Sequence, residues 1–343
     1  MNRPVMIKIL VASAIFVVLL SVLPLSMRIW QSTPSTNLRD QAGTDQIERA
    51  ALENRTYAAI LMQQFIEELS AWARQRKPGF IILPQNGPEL AFEGGDSRAP
   101  LRSSYLAAVD GFAAEEVFYF GQPRVSAERL EVLRRLRAYK PVLISEYVGD
   151  EKLIQEAMER GYSESFITFV RAPNNYDYIH IPKTVPFRNG DSIQNLSQVR
   201  NFLYLINPER YPIKDAFLQA LEATEFDLII IDAQFQGEWL SASDVSRLQR
   251  KPSGERRLVL AYINIGAAEK WRYYWQPTWG VGNPDWLLRP YPGYPDEVYV
   301  AYWRDEWKDI IFRREGSYLA HILEAGFDGA FLDNVEAYIY IRG

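Results

Sequence analysis

The chain repeats one pattern, a short apolar run that ends in a polar or aromatic residue and gives way to a stretch of helical period. Runs at 79–87, 109–120, 141–148, 201–207, 226–233, 257–266, 297–303 and 327–335 finish on or near Asn86, Glu115, Glu146, Asn207, Asp232, Asn264, Trp303 and Asp333. Apolar runs of strand length separated by amphipathic segments predict parallel βα units. Eight such units close a (β/α)8 TIM barrel, in which reactive side chains gather at the C-terminal strand tips. The expected fold class is α/β, with that barrel as its architecture.

The order of the units is unusual. The last run, 327–335, is followed by too few residues for the helix that should cover it. Residues 46–76 carry an amphipathic helical period with Ile60, Phe65, Ile66 and Leu69 on one side, so this helix can stand behind the last strand. A circularly permuted barrel is therefore expected over 46–343, starting and finishing at one βα loop. The Pro-, Gly- and Asn-rich stretch 172–200 reads as the joint between its two parts, 46–171 and 201–343.

Ahead of the barrel, residues 9–27 contain no charge and follow Arg3 and Lys8. That is the pattern of an export signal, and its length approaches the ~20 apolar residues that span a bilayer. An uncleaved anchor is expected, with the polar stretch 28–45 as a linker and the remainder in the periplasm or outside the cell. The absence of cysteine from the sequence fits that location. A net charge of -5 and the lack of a basic stripe exclude general nucleic-acid binding. The two histidines, His180 and His321, lie far apart and the carboxylates lack ligand spacing, so no metal is expected. No phosphate loop or Ser-His-Asp signature is present, and no cofactor is expected.

Several longer motifs agree at once with a known family: AYINIGAAEKWRYYW (261–275), VAYWRDEW (300–307), GFDGAFLDNVEAY (326–338), PGFIILPQNGPEL (78–90), DGFAAEEVFYFG (110–121) and VLISEYV (142–148). Together they resemble glycoside hydrolase family 114, the endo-α-1,4-polygalactosaminidases. In that family the segment resembling 201–343 precedes the one resembling 46–171, which strengthens the expectation of a permuted order. The resemblance implies an extracytoplasmic hydrolase of α-1,4-linked galactosamine or N-acetylgalactosamine polymer, with Asp333 as nucleophile and Glu115 as acid/base. Glu116, next to Glu115 on a strand of alternating faces, stays open as the acid. Where the family commonly carries Glu, this chain has Ala267.

The chemistry agrees with that assignment. Retaining hydrolysis needs a carboxylate nucleophile and a protonated carboxyl ~5 Å apart, and residues on alternate barrel strands converge over the mouth. Asp333 is expected to remain ionised and Glu115 to hold its proton more tightly. Asp232, Glu146 and Glu269 are candidates for binding the amines of a cationic sugar. Tyr119, Tyr147, Tyr262, Tyr274 and Trp303 are candidate sugar platforms, and Asn86, Asn264, Arg272 and Asn334 candidate polar contacts. Asp110 and Asp328, each before a glycine at a strand entry, read as structural. A non-catalytic polysaccharide-binding barrel, as part of a membrane exopolysaccharide synthesis or export machine, is the alternative reading.

Overall fold

The computed structural model describes residues 42–341. The expected anchor at 9–27 and the linker up to residue 41 lie outside them. Among the described residues, no helix is long and apolar enough to cross a membrane. The helix expected over 46–76 is two helices, Ala42–Glu53 and Arg55–Arg76. Asn54 separates them because it adopts extended backbone and its side chain accepts the amides of Thr56 and Tyr57, which is an N-cap. Phe65, Ile66 and Leu69 are fully buried, whereas Ile60 is half-buried.

Eight parallel strands carry the fold: β1 (Ile81–Pro84), β2 (Phe112–Pro123), β3 (Val142–Val148), β4 (Ile167–Arg171), β5 (Phe202–Leu205), β6 (Leu228–Asp232), β7 (Leu258–Asn264) and β8 (Gly329–Asp333). They form a five-stranded sheet in the order β1-β8-β7-β6-β5 and a three-stranded sheet β2-β3-β4. A parallel bridge, Gln85 to Ala113, links the end of β1 to β2. On the other side β4 lies against β5, with the rings of Phe169 and Phe202 5.6 Å apart. The arrangement is a parallel α/β fold compatible with a TIM-like barrel. Its interior is filled by side chains that reach across it. Tyr204 on β5 donates to Gln85 Oε1 beyond β1 at 2.8 Å, and its ring lies 4.0 Å from that of Tyr178 and 4.9 Å from that of Phe331.

Two strand expectations are corrected. The run at 297–303 is not a member of the parallel set: Tyr294–Val300 pairs antiparallel with Leu287–Tyr291 and Ala267–Glu269 in a separate three-stranded sheet that follows β7. The remaining parallel strand is β4, just before the expected joint, where SFITFVR is too short and too polar at its start to stand out. The stretch 172–200 carries no strand and only a 3-10 turn at Leu196–Gln198.

Aspartates tie the N-terminal strand ends together, as read for Asp110 and Asp328. Asp110 accepts the Ile82 amide of β1 at 2.7 Å, Asp328 the Val259 amide of β7 at 2.9 Å, and Asp227 the Arg200 amide before β5 at 2.9 Å. A carboxylate aimed at an amide near a neighbouring strand's start satisfies a donor the ladder leaves unpaired. It leaves the opposite, C-terminal ends free for chemistry.

The pairing of the first strand with the last depends on Gly329. A Cβ there would lie 2.3 Å from the Ile81 carbonyl oxygen and 2.5 Å from both Ile81 Cβ and Leu260 Cδ2. Backbone and branched side chains on both sides cannot yield cheaply. Gly329→Ala is expected to lower stability by about 1 to 3 kcal/mol, read as a fall in the thermal midpoint; an unchanged midpoint would show that the β1–β8 seam is looser than described.

Candidate active site

The C-terminal ends of β1, β2, β5, β6, β7 and β8 open on a cavity of about 550 Å³. Asp333 and Glu115 both line it, although 218 positions separate them in the sequence. Asp333 is the last residue of β8, and Glu115 lies on β2, one strand beyond β1. Asn86, just past β1, stands between them in left-handed backbone (φ 62), which Asn tolerates better than most residues. Its Oδ1 accepts the Glu115 amide at 3.2 Å and a bond from Arg129, which also holds the Glu115 carbonyl at 2.7 Å.

Each catalytic candidate is held by a tyrosine. Tyr262 on β7 donates to Asp333 Oδ2 at 2.6 Å, and the Asn334 amide donates to Oδ1 at 2.8 Å. Tyr178 donates to Glu115 Oε1, and Ser145 joins Tyr178 at 3.0 Å. The charge states depart from expectation. Burial, then the negative charge of Glu115, pushes the Asp333 carboxyl up to about 7, against the smaller downward pull of the Tyr262 and Asn334 bonds. Asp333 is therefore not the permanently ionised member of the pair in the ligand-free protein. Enclosing several acids beside one another leaves at least one of them holding its proton.

Glu116 takes a different position from Glu115 because the strand is bulged. Pairing of β2 with β3 runs to Glu115–Ser145 and resumes only at Phe120–Tyr147, and Glu116 has a positive φ of 55. It lines the cavity while pairing with the fully buried Arg171 at 3.1 Å. Burial and the neighbouring Glu115 push its carboxyl up to about 7. Glu116 is tied to that guanidinium, whereas Glu115 meets the neutral side chains of Tyr178 and Asn86, so Glu115 is the freer of the two to turn to a substrate.

The bulge explains Glu146, which the structure takes out of the mouth. It is fully buried, and its carboxylate accepts the amides of Val117 (3.1 Å), Phe118 (3.2 Å) and Tyr119 (2.8 Å). These are donors the bulge has removed from the strand ladder, so Glu146 shapes β2 rather than binding sugar. Tyr119 points away with it, donating to Glu156 at 2.7 Å, and Tyr147 packs on Tyr176 with ring centres 4.7 Å apart, outside the cavity lining. Asn264 is buried and accepts the Ala267 amide at 2.9 Å, fixing the turn after β7. Tyr274 accepts the Glu269 amide at 3.0 Å, and Trp303 packs edge-on against Tyr302; neither lines the cavity.

Asp232, Glu269, Arg272, Tyr262, Asn86 and Asn334 do line it. Arg272 binds Asp232 at 2.8 Å and also holds Glu269, so these two acids reach the cavity sharing one guanidinium. The sequence reading passed over Glu336, Tyr178, Tyr204, Tyr291, Tyr294 and Glu297, all in the lining. Glu336 was legible as the second acid of the LDNVEAY motif. Tyr291, Tyr294 and Glu297 come from the antiparallel sheet, of which only the run 297–303 is expected from sequence, and as a barrel strand. Among the described residues no group of His, Cys, Asp and Glu could hold a metal ion.

A carboxyl whose proton affinity rises on folding keeps a proton that the unfolded chain has lost, so it makes stability fall as pH rises from about 4 to about 7. Asp333→Asn removes that cost. Its stability relative to the unsubstituted protein, followed by thermal or denaturant unfolding, should improve between pH 4 and pH 8, by up to roughly 1.4 kcal/mol for each unit of raised affinity; a pH-independent difference would mean that folding leaves the proton affinity of Asp333 unchanged.

Comparison with known proteins agrees with the second half of the chain. Residues 201–342 match glycoside-hydrolase family GH114. An uncharacterized protein of Thermotoga maritima is 32% identical over 131 residues, 38% of this chain and 39% of its own. One from Methanocaldococcus jannaschii is 34% identical over 156 residues, 45% of this chain and 42% of its own. A third, from Deinococcus radiodurans, is 34% identical over 122 residues, 35% of this chain and 37% of its own. The match spans about two fifths of the length of each relative. The likeness to GH114 read from the motifs is thus shown over the segment that carries Asp232, Tyr262, Glu269, Arg272, Asp333 and Glu336.

Proposed function

We propose that the chain is a retaining glycoside hydrolase acting on α-1,4-linked galactosamine or N-acetylgalactosamine polymer, with Asp333 as nucleophile and Glu115 as acid/base. The observation that carries this reading is the convergence of the two carboxyls, from β8 and β2, on one cavity. Asp333 attacks the anomeric carbon while Glu115 gives its proton to the departing glycosidic oxygen. Water then attacks the glycosyl ester, Glu115 takes the water's proton, and the Asp333 carboxylate leaves. The Tyr262 hydroxyl steadies the charge on Asp333 at the start and end of this cycle.

Electrostatics support a cationic substrate. The buried acids raise one another's proton affinity, and ammonium groups entering the cavity offset that repulsion and favour an ionised Asp333. The family likeness over 201–342 supports the reaction class. The direct pairing of β1 with β8 supports a closed, permuted barrel over 46–343, with Arg55–Arg76 as the helix behind β8. Arg55 lies 5.7 Å from the ring of Tyr338, so the two ends of the fold meet beside the cavity. The uncharged run 9–27 supports an extracytoplasmic protein tethered at the membrane.

Product analysis on partly deacetylated α-1,4-galactosamine polymer tests this directly. Shortened chains that first appear with the α configuration are expected, and binding without cleavage would favour a polysaccharide-binding role. Asp333→Asn and Glu115→Gln should each lower turnover by on the order of a hundredfold or more. Because Asp333 must be a carboxylate to attack, kcat/KM should fall as pH drops below about 7. An acid limb near the ordinary carboxylate range would contradict the charge state described for the free protein.

A further inference from the structure

A second cavity, about 660 Å³, lies on the far side of Glu115. It shares with the first only Asn86, Glu115, Glu116 and Glu336. A polymer threading from one cavity to the other therefore passes these four residues at the point of cleavage. Asn86 is neutral, Glu115 has its catalytic task and Glu116 is paired with Arg171. Glu336 remains.

The local chain places it there. Asn334 has a positive φ of 58, turning the backbone sharply after β8, and the Ala337 amide bonds the Asn334 carbonyl at 3.1 Å. This turn brings Glu336 back beside Asp333. Asn86 Nδ2 donates to Glu336 Oε1 at 3.3 Å and approaches Glu115 Oε2 at 3.5 Å, so the two carboxyls stand on either side of one amide. The other oxygen, Glu336 Oε2, is buried and has no hydrogen-bond partner. Such an atom forgoes water without compensation, which is costly unless a ligand completes it.

We propose that Glu336 recognises the ammonium group of an amino sugar next to the scissile linkage, and so sets the preference for a deacetylated unit there. This rests on the hydrolase reading above and adds to it the group that reads the substrate's charge. The ionisable groups that act on Glu336 are the acids Asp333 and Glu115, and Arg129, which is already bound to Asn86 and to the Glu115 carbonyl. An ammonium ion supplies both the donor that Oε2 lacks and the positive charge that the neighbouring acids lack; an N-acetyl amide supplies only a neutral donor. Burial, then Asp333, holds the Glu336 carboxyl at about 8, so binding an amine near neutral pH displaces its proton.

The test compares Glu336→Gln with the unsubstituted protein on fully deacetylated and on N-acetylated polymer. A charge-assisted hydrogen bond lost at this point should lower kcat/KM for the deacetylated polymer roughly tenfold to a hundredfold, with little change for the acetylated one. An equal loss on both, or no loss on either, would overturn the proposal. Calorimetry with galactosamine oligomers, in buffers of different ionisation enthalpy, gives a readout that needs no turnover. Proton release on binding that disappears in Glu336→Gln supports the assignment, and identical binding and proton release in the two proteins, or no binding to either, refutes it. If neither polymer is cut by the unsubstituted protein, the hydrolase reading has failed, and calorimetry still decides the role of Glu336.

Discussion

Everything at the site depends on the parallel ladder between the first strand and the last, Ile81–Gly329 through Pro84–Leu332. Without it Asn86, which follows β1, would not face Asp333, which ends β8. Nor would β2, reached through the Gln85–Ala113 bridge, bring Glu115 to the same opening. The ladder joins segments almost 250 residues apart, so its entropic cost must be met by contacts made only when the rest of the fold is in place. Those contacts include the helix Arg55–Arg76, whose Gln63 holds the carbonyls of Leu90 and Phe92 and whose Phe65 packs edge-on against Phe312 at 5.5 Å. A close approach of three strands at Gly329 completes the seam.

The acids of this region differ less in type than in what satisfies them. Glu146 is bound by three consecutive amides, Glu116 by Arg171, and Asp232 and Glu269 by a single arginine. Asp333 and Glu115 have a tyrosine hydroxyl each but no cation, and Glu336 has one amide donor and one unpartnered oxygen. Carboxyls that receive a full set of partners serve the fold. Those left under-compensated around the cavity, Asp333, Glu115 and Glu336, keep hydrogen-bonding capacity to spare, and such unmet demand suits groups that act on a ligand.

Much of this was legible in the sequence because strand tips advertise themselves: an apolar run followed by an acid identifies Asp232 and Asp333 without reference to tertiary structure. The strand EVYVAYW has the same appearance as a barrel strand, yet its partners are Leu287–Tyr291 and Ala267–Glu269, and sequence period carries no information on whether a partner runs parallel or antiparallel. Glu146 was misread for a related reason. A carboxylate at a strand tip looks the same whether it faces the mouth or turns inward, and only the bulge between Glu115 and Phe120 creates the three amides that hold it. Glu336 sits in a motif that was noticed, but its role depends on a left-handed turn at Asn334 that spacing alone does not reveal.

That Asp333 and Glu115 act across a single glycosidic linkage is tested most directly by a crystal structure of Asp333→Asn bound to a partly deacetylated α-1,4-galactosamine oligomer. The expected result is one continuous oligomer running through both cavities, with the anomeric carbon facing position 333 and the bridging oxygen within hydrogen-bond distance of Glu115. An oligomer bound elsewhere on the protein, or a linkage that reaches only one of the two carboxyls, would contradict the account.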